Sequence, residues 1–176
     1  DIDAIHAGTV YDQLNRMGRL YILRAFKETG VLRVPGEQYP AVELKEKMGV
    51  IPEYGRLFDC LLIILENAGF ISRSDGMVIA AGPAGEWGVE EITRAAGDLQ
   101  REIAGAYPEM AATAGSLARC LDKYAAVLTG RMNHTEALFP NGSMELAENL
   151  YTNNNIQDFF SRLVGRKVRE WVTRLS

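Results

Sequence analysis

Cysteine and histidine are nearly missing from this chain of 176 residues, two of each, and their scarcity removes whole classes of chemistry. Cys60 and Cys120 stand far apart, each inside an apolar helical pattern, with no Cys-x-x-Cys and no multi-cysteine framework. Two buried thiols in a reducing, cytoplasmic setting are expected rather than a disulfide. His6 and His134 have no second ligand at metal-binding spacing, so no metal site is expected. No Gly-x-Ser-x-Gly elbow is present, and Gly115-Ser116 and Gly142-Ser143 read as helix breaks or caps. Positive charge is not in surplus. The balance of 19 Lys and Arg against 23 Asp and Glu leaves a net charge of -4, whereas a general nucleic-acid binder needs a concentrated excess of cations to displace counterions from phosphates. The longest apolar run, Cys60 to Leu65, is far short of the about 20 residues that cross a bilayer. Asp1-Ile2-Asp3 lacks the basic region of a signal peptide. The missing initial Met reads as an excised piece of a longer polypeptide.

What is present is helical. At 47% hydrophobic and 24% charged, the chain is long enough to bury a core in one domain or two small ones. From Ala4 to Thr29, Val10, Leu14, Met17, Tyr21, Ile22, Ala25 and Phe26 fall at steps of three and four, predicting an amphipathic helix closed by Gly30. A short helix is expected from Ala41 to Met48, ending at Gly49. Pro52 suits the first turn of a third helix, where its missing N–H is no loss. That helix carries Leu57, Phe58, Leu61, Leu62, Ile64 and Leu65 to a stop at Gly69, with an apolar surface wide enough to pack on two sides. Phe70 to Ile79 reads as a hairpin, because Asp75-Gly76 accommodates the positive φ angles of a tight turn. Helix, short helix, turn, helix and hairpin make a winged-helix pattern.

Ala80 to Gly88 reads as a Gly-rich break, which places a boundary between subdomains 1–82 and 83–176. Helices follow at Val89 to Ala106 and Pro108 to Leu128. Ser143 is expected to cap a helix through Leu146, Leu150 and Tyr151. A last helix is expected from Asn155 through Phe159, Leu163, Val168 and Trp171.

Individual sites argue for packing more than for catalysis. The candidate recognition helix, Pro52 to Asn67, offers Arg56 against Glu53, Asp59 and Glu66, so protein packing is preferred to DNA. In residues 82–88, Pro83 interrupts the glycines, the strand before them is a hairpin arm, and no second βαβ unit follows. A linker therefore replaces a dinucleotide loop. His134 and Glu136 form an acid/base pair on paper. A polar turn ahead of Leu138-Phe139-Pro140 is the plainer expectation. Arg162, Arg166, Lys167, Arg169 and Arg174 give the terminal helix a basic face, read first as solvated and second as a surface for an acidic acyl carrier protein or its phosphopantetheine arm.

The stretch Leu128 to Ser143, with its Leu138-Phe139-Pro140-Asn141-Gly142-Ser143 turn, and its continuation to Tyr151 and Phe159-Phe160 resemble the carbon-methyltransferase domains of polyketide synthases. Arg56 to Phe70 is similar to them more weakly, and also to the helical module of small-molecule O-methyltransferases, which serves packing and dimerisation. The family often has Asn near Ser161, a departure here. The resemblance implies a mostly α N-terminal helical lid, with an embedded winged-helix-like element and a small β-hairpin, leading to a Rossmann-like core. The core would begin where this sequence ends. It also implies S-adenosylmethionine as methyl donor and a carrier-protein-bound acyl chain as acceptor. The glycine-rich cofactor loop and the catalytic His and Glu belong to the family's core. No catalytic residue is therefore expected here, and Phe139, Tyr151, Phe159 and Phe160 are the candidate walls of a substrate or cofactor cavity. The alternative is a non-catalytic structural, dimerisation or docking module of a megasynthase.

Overall fold

The computed structural model describes residues 4–151. Helix α1 runs Ala4–Glu28, followed by strand β1 Gln38–Pro40 and helix α2 Ala41–Lys47. A 3-10 turn, Pro52–Tyr54, leads into α3, Gly55–Asn67, and then strands β2, Ile71–Ser74, and β3, Met77–Ala80. The second half holds α4 Gly82–Glu86, α5 Val89–Ala106, a 3-10 turn Pro108–Met110, α6 Ala111–Leu121 and α7 Tyr124–Leu128. Then come α8 His134–Leu138, a 3-10 turn Pro140–Gly142 and α9 Glu145–Tyr151. The described part is mostly helical with a small antiparallel sheet, and no described helix is long and apolar enough to cross a membrane.

Helix α1 is the axis of the fold. Its apolar stripe packs on α5, α6 and α7 on one side and on α3 on the other. Met17, Leu23 and Phe26 are wholly buried, and Phe26 stacks on Phe58 of α3 with ring centroids 5.7 Å apart. Side chains of this kind each contribute about 1.5–3 kcal/mol when removed from water. Helix α5 answers with Ile92, Ala96, Leu99 and Ile103, a single buried stripe. One continuous core joins these residues to Leu44, Leu61, Leu65 and Val78.

The expected hairpin is present. Asp75 and Gly76 take φ of 50° and 77°, the two positive angles of a turn whose twist matches its strands. The third strand was not foreseen. β1 pairs with β3 with Gln38 opposite Ile79 and Tyr39 opposite Val78, giving the order β1-β3-β2. Pro40 is tolerated because β1 is an edge strand.

Three further expectations need correction. The helix expected from Pro108 to Leu128 is three pieces. At the second break the Lys123 N–H bonds the Cys120 carbonyl three residues back, a tightened turn, while Asp122 is drawn to Arg24 of α1. The Gly-rich break holds a helix, α4, in which Ala84 and Gly85 are buried. Cys60 is exposed and Cys120 only half-buried, because α3 turns Phe58, Leu61, Leu62 and Leu65 inward and Cys60 with Ile63 and Ile64 outward. The basic helix expected from Asn155 onward lies outside the described residues.

Candidate functional site

A cavity of about 440 Å³ opens beside α6, within the range of small-molecule sites. Its floor is Tyr21 of α1, Gln100 of α5, and Gly115 and Ala118 of α6. The small side chains on α6 leave the space. Gly115 and Ser116 were expected as a helix break or cap; they sit inside α6 instead, and the Ser116 hydroxyl is buried without a hydrogen-bond partner. The opposite wall comes from Met132, Glu136, Ala137, Pro140 and Asn141, and Leu146 of α9 closes one end.

Charge gathers at one rim. Arg24 reaches from α1 to Asp122 at 2.5 Å and to Glu28 at 2.8 Å, and Lys123 meets the other Asp122 oxygen at 2.9 Å. Burial pushes the Asp122 carboxyl up, but hydrogen bonds from Lys123 and Arg24, with their charges, outweigh it and hold the group below its ordinary range. For Arg24 burial opposes the charge, and Asp122 and Glu28 overcome it. Burial likewise raises the Tyr21 hydroxyl, with Arg24 pulling the other way. The result is a largely apolar recess with a fixed ionic edge, suited to binding and orienting a chain rather than to acid/base work.

The expected site residues distribute unevenly. Phe139 is half-buried at the C-terminal end of α8, next in sequence to the cavity residue Pro140. Tyr151 ends α9. Phe159 and Phe160 lie outside the described residues. His134 and Glu136 are not a pair: Glu136 faces the cavity, whereas Nδ1 of His134 lies 3.0 Å from the Tyr54 hydroxyl and 3.9 Å from Glu53. The polar turn expected there is helical, because Asn133 Oδ1 caps α8 by accepting the Thr135 N–H at 2.9 Å. The expected cap at Ser143 is present, its hydroxyl accepting the Glu145 N–H at 3.3 Å. Tyr21, Gln100, Arg119 and Lys123 escaped sequence reasoning, since each reads alone as an ordinary helix residue.

The glycine-rich stretch 82–88 forms no cradle for a nucleotide. A methyl group at Gly85 would run into the backbone of Val34 and Pro35. At Gly85 the close approach that a glycine allows is therefore already taken by the protein's own backbone.

No family model matches the chain. Polyketide synthase ThaQ of Burkholderia thailandensis is 31% identical over 150 residues, which are 85% of this chain and 7% of that protein. Polyketide synthase PksR of Bacillus subtilis is 30% identical over 115 residues, 61% of this chain and 4% of that one. Among solved structures, the DszA carbon methyltransferase superposes with a TM-score of 0.84 at 27% identity, covering 97% of this chain and 42% of its own. The CurJ carbon methyltransferase follows at 0.75 and 24%, covering 89% and 40%. The carbon-methyltransferase domain of the citrinin polyketide synthase gives 0.68 and 18%, covering 93% and 41%. At those identities the last two speak for the fold alone. The chain thus spans less than a tenth of the curated relatives and about two fifths of the solved methyltransferases. Sequence and fold together make the chain similar to part of the carbon-methyltransferase domains of polyketide synthases.

Proposed function

We infer that the chain is the lid portion of a polyketide synthase methyltransferase. Together with a Rossmann-like core it would transfer a methyl group from S-adenosylmethionine to an acyl chain borne by an acyl carrier protein. The observation that carries this reading is the superposition on the DszA carbon methyltransferase, which takes in 97% of this chain but 42% of that one. The lid's share of the work is to cover the reaction cavity, exclude water and shape the path of the acyl chain. The largely apolar recess beside α6 supports such a role. Phe139, Tyr151, Phe159 and Phe160 are the proposed aromatic walls, and the basic face of 162–174 is the proposed meeting place with the carrier protein. In this reading 1–82 is a winged-helix-like unit and 83–176 the lid proper.

One observation favours a second reading, a structural or docking module. Ile63 and Ile64 stay 45% and 37% exposed on α3 beside Cys60, and self-association of the chain alone would be its mark.

Calorimetric titration with S-adenosylmethionine tests the first reading, applied to this chain and to a methyltransferase-length polypeptide that contains it. Binding by the longer protein only is expected, since the glycine-rich cofactor loop that the resemblance implies belongs to the Rossmann-like core. Saturable binding by the 176 residues alone would overturn the assignment of a lid.

A further inference from the structure

We propose that residues 131–143 form a hinged strap over the cavity, held shut by the Tyr54–His134 contact, and that it opens to admit the ligand. From Arg131 to Met144 no residue is buried, although the segment supplies Met132, Glu136, Ala137, Pro140 and Asn141 to the cavity wall. The Arg131 and Met132 N–H groups bond the Ala126 carbonyl of α7, and from Asn133 onward the backbone hydrogen bonds close on themselves. The backbone N–H groups of Glu136 and Ala137 bond Asn133, that of Phe139 bonds Thr135, that of Gly142 bonds Phe139 and that of Ser143 bonds Pro140. Such a unit moves as a body without breaking its own bonds.

Each end carries a glycine at positive φ, and opening at the first breaks the bonds from Arg131 and Met132 to the Ala126 carbonyl. Gly130 and Gly142 take φ of 68° and 75°, the region glycine enters freely. Among the described residues, side chains at two positions tie the middle of the strap to the rest of the molecule, and the second, His134, also lies 3.9 Å from Glu53. One is weak: the Cys120 thiol lies 4.0 Å from the Ala137 carbonyl. The other joins His134, on the side of α8 away from Glu136, to the Tyr54 hydroxyl at 3.0 Å, with the rings edge-to-face at 6.4 Å. With so few buried contacts, opening belongs to the low-energy end of native motions. The motion stands on geometry alone; its role as a gate rests on the cavity being the ligand site proposed above.

Cys120 beneath the strap reports its opening, and Cys60 on the outer face of α3 is the internal control. The experiment is thiol labelling of the intact chain with dithionitrobenzoate, each cysteine followed by peptide mass spectrometry, in the wild type and in Tyr54→Phe and His134→Ala. The expected result is that Cys120 reacts more slowly than Cys60, at a rate insensitive to low urea, as local opening requires. Each variant should speed Cys120 roughly threefold to tenfold, the worth of one net hydrogen bond, with Cys60 and the circular dichroism unchanged. A Cys120 rate equal to that of Cys60 in the wild type, unchanged in both variants, or rising with urea as global unfolding does, would overturn the strap. None of these outcomes bears on cofactor binding, so the strap and the lid assignment fail separately.

Discussion

Asp122 shows how one residue carries both stability and site geometry. It ends α6, anchors Arg24 of α1 and holds Lys123 at the cavity rim. Its folded pKa lies below the ordinary 3.8, so its contribution is complete above that value and disappears as pH falls through the lowered one. Asp122→Asn should therefore lower stability near neutral pH and converge on the wild type in acid, as urea unfolding at several pH values would read. With its side chain 38% exposed, the loss should be on the order of 1 kcal/mol, as for a solvent-screened pair. Nothing in the residues around Asp122 announces this in sequence: Arg24 is 98 positions away, and only the packing of α1 along α6 brings them together. Cys60 errs the other way, its apolar neighbours hiding an outward-facing thiol.

At the scale of the element, local chemistry explains the boundaries. Gly30, Gly49 and Gly69 all follow helix ends with positive φ, as an αL stop requires. Pro52 sits in a first turn and Asp75-Gly76 in the hairpin. What local chemistry could not supply was β1, whose strand identity comes from hydrogen bonds to β3 about 40 residues on, and α4, whose glycines read as a linker. Gly85 is in α4 because no side chain fits against Val34 and Pro35. Gly85→Ala should thus destabilise by about 1–3 kcal/mol, the cost of overpacking against rigid backbone, despite alanine's better helix propensity. Chemical denaturation would measure it, and a gain in stability would show that the loop at Pro35 yields.

For the whole molecule, α1 is what the two halves share. It packs on α3 as well as on α5, α6 and α7, and the Ile51 N–H bonds the Leu128 carbonyl at 3.0 Å across the same seam. Neither half keeps its core if α1 leaves. Thermal unfolding should accordingly be a single transition with equal calorimetric and van't Hoff enthalpies; two resolved transitions would mean that the halves are separately stable. The candidate site belongs to this scale also, since its cavity is bounded by α1, α5, α6, the strap and α9 together.

The sequence by itself determined what depends on neighbours within a few positions: the amphipathic stripes of α1 and α3 with their glycine stops, the helix α5, the hairpin turn, the cap at Ser143, and the resemblance carried by the run from Leu128 to Ser143. The tertiary structure alone decided the third strand, the break between α6 and α7, the outward turn of Cys60, the parting of His134 from Glu136 and the cavity itself. Periodicity records which side of a helix is apolar. It does not record which distant surface meets that side, and every one of these features is made by such a meeting.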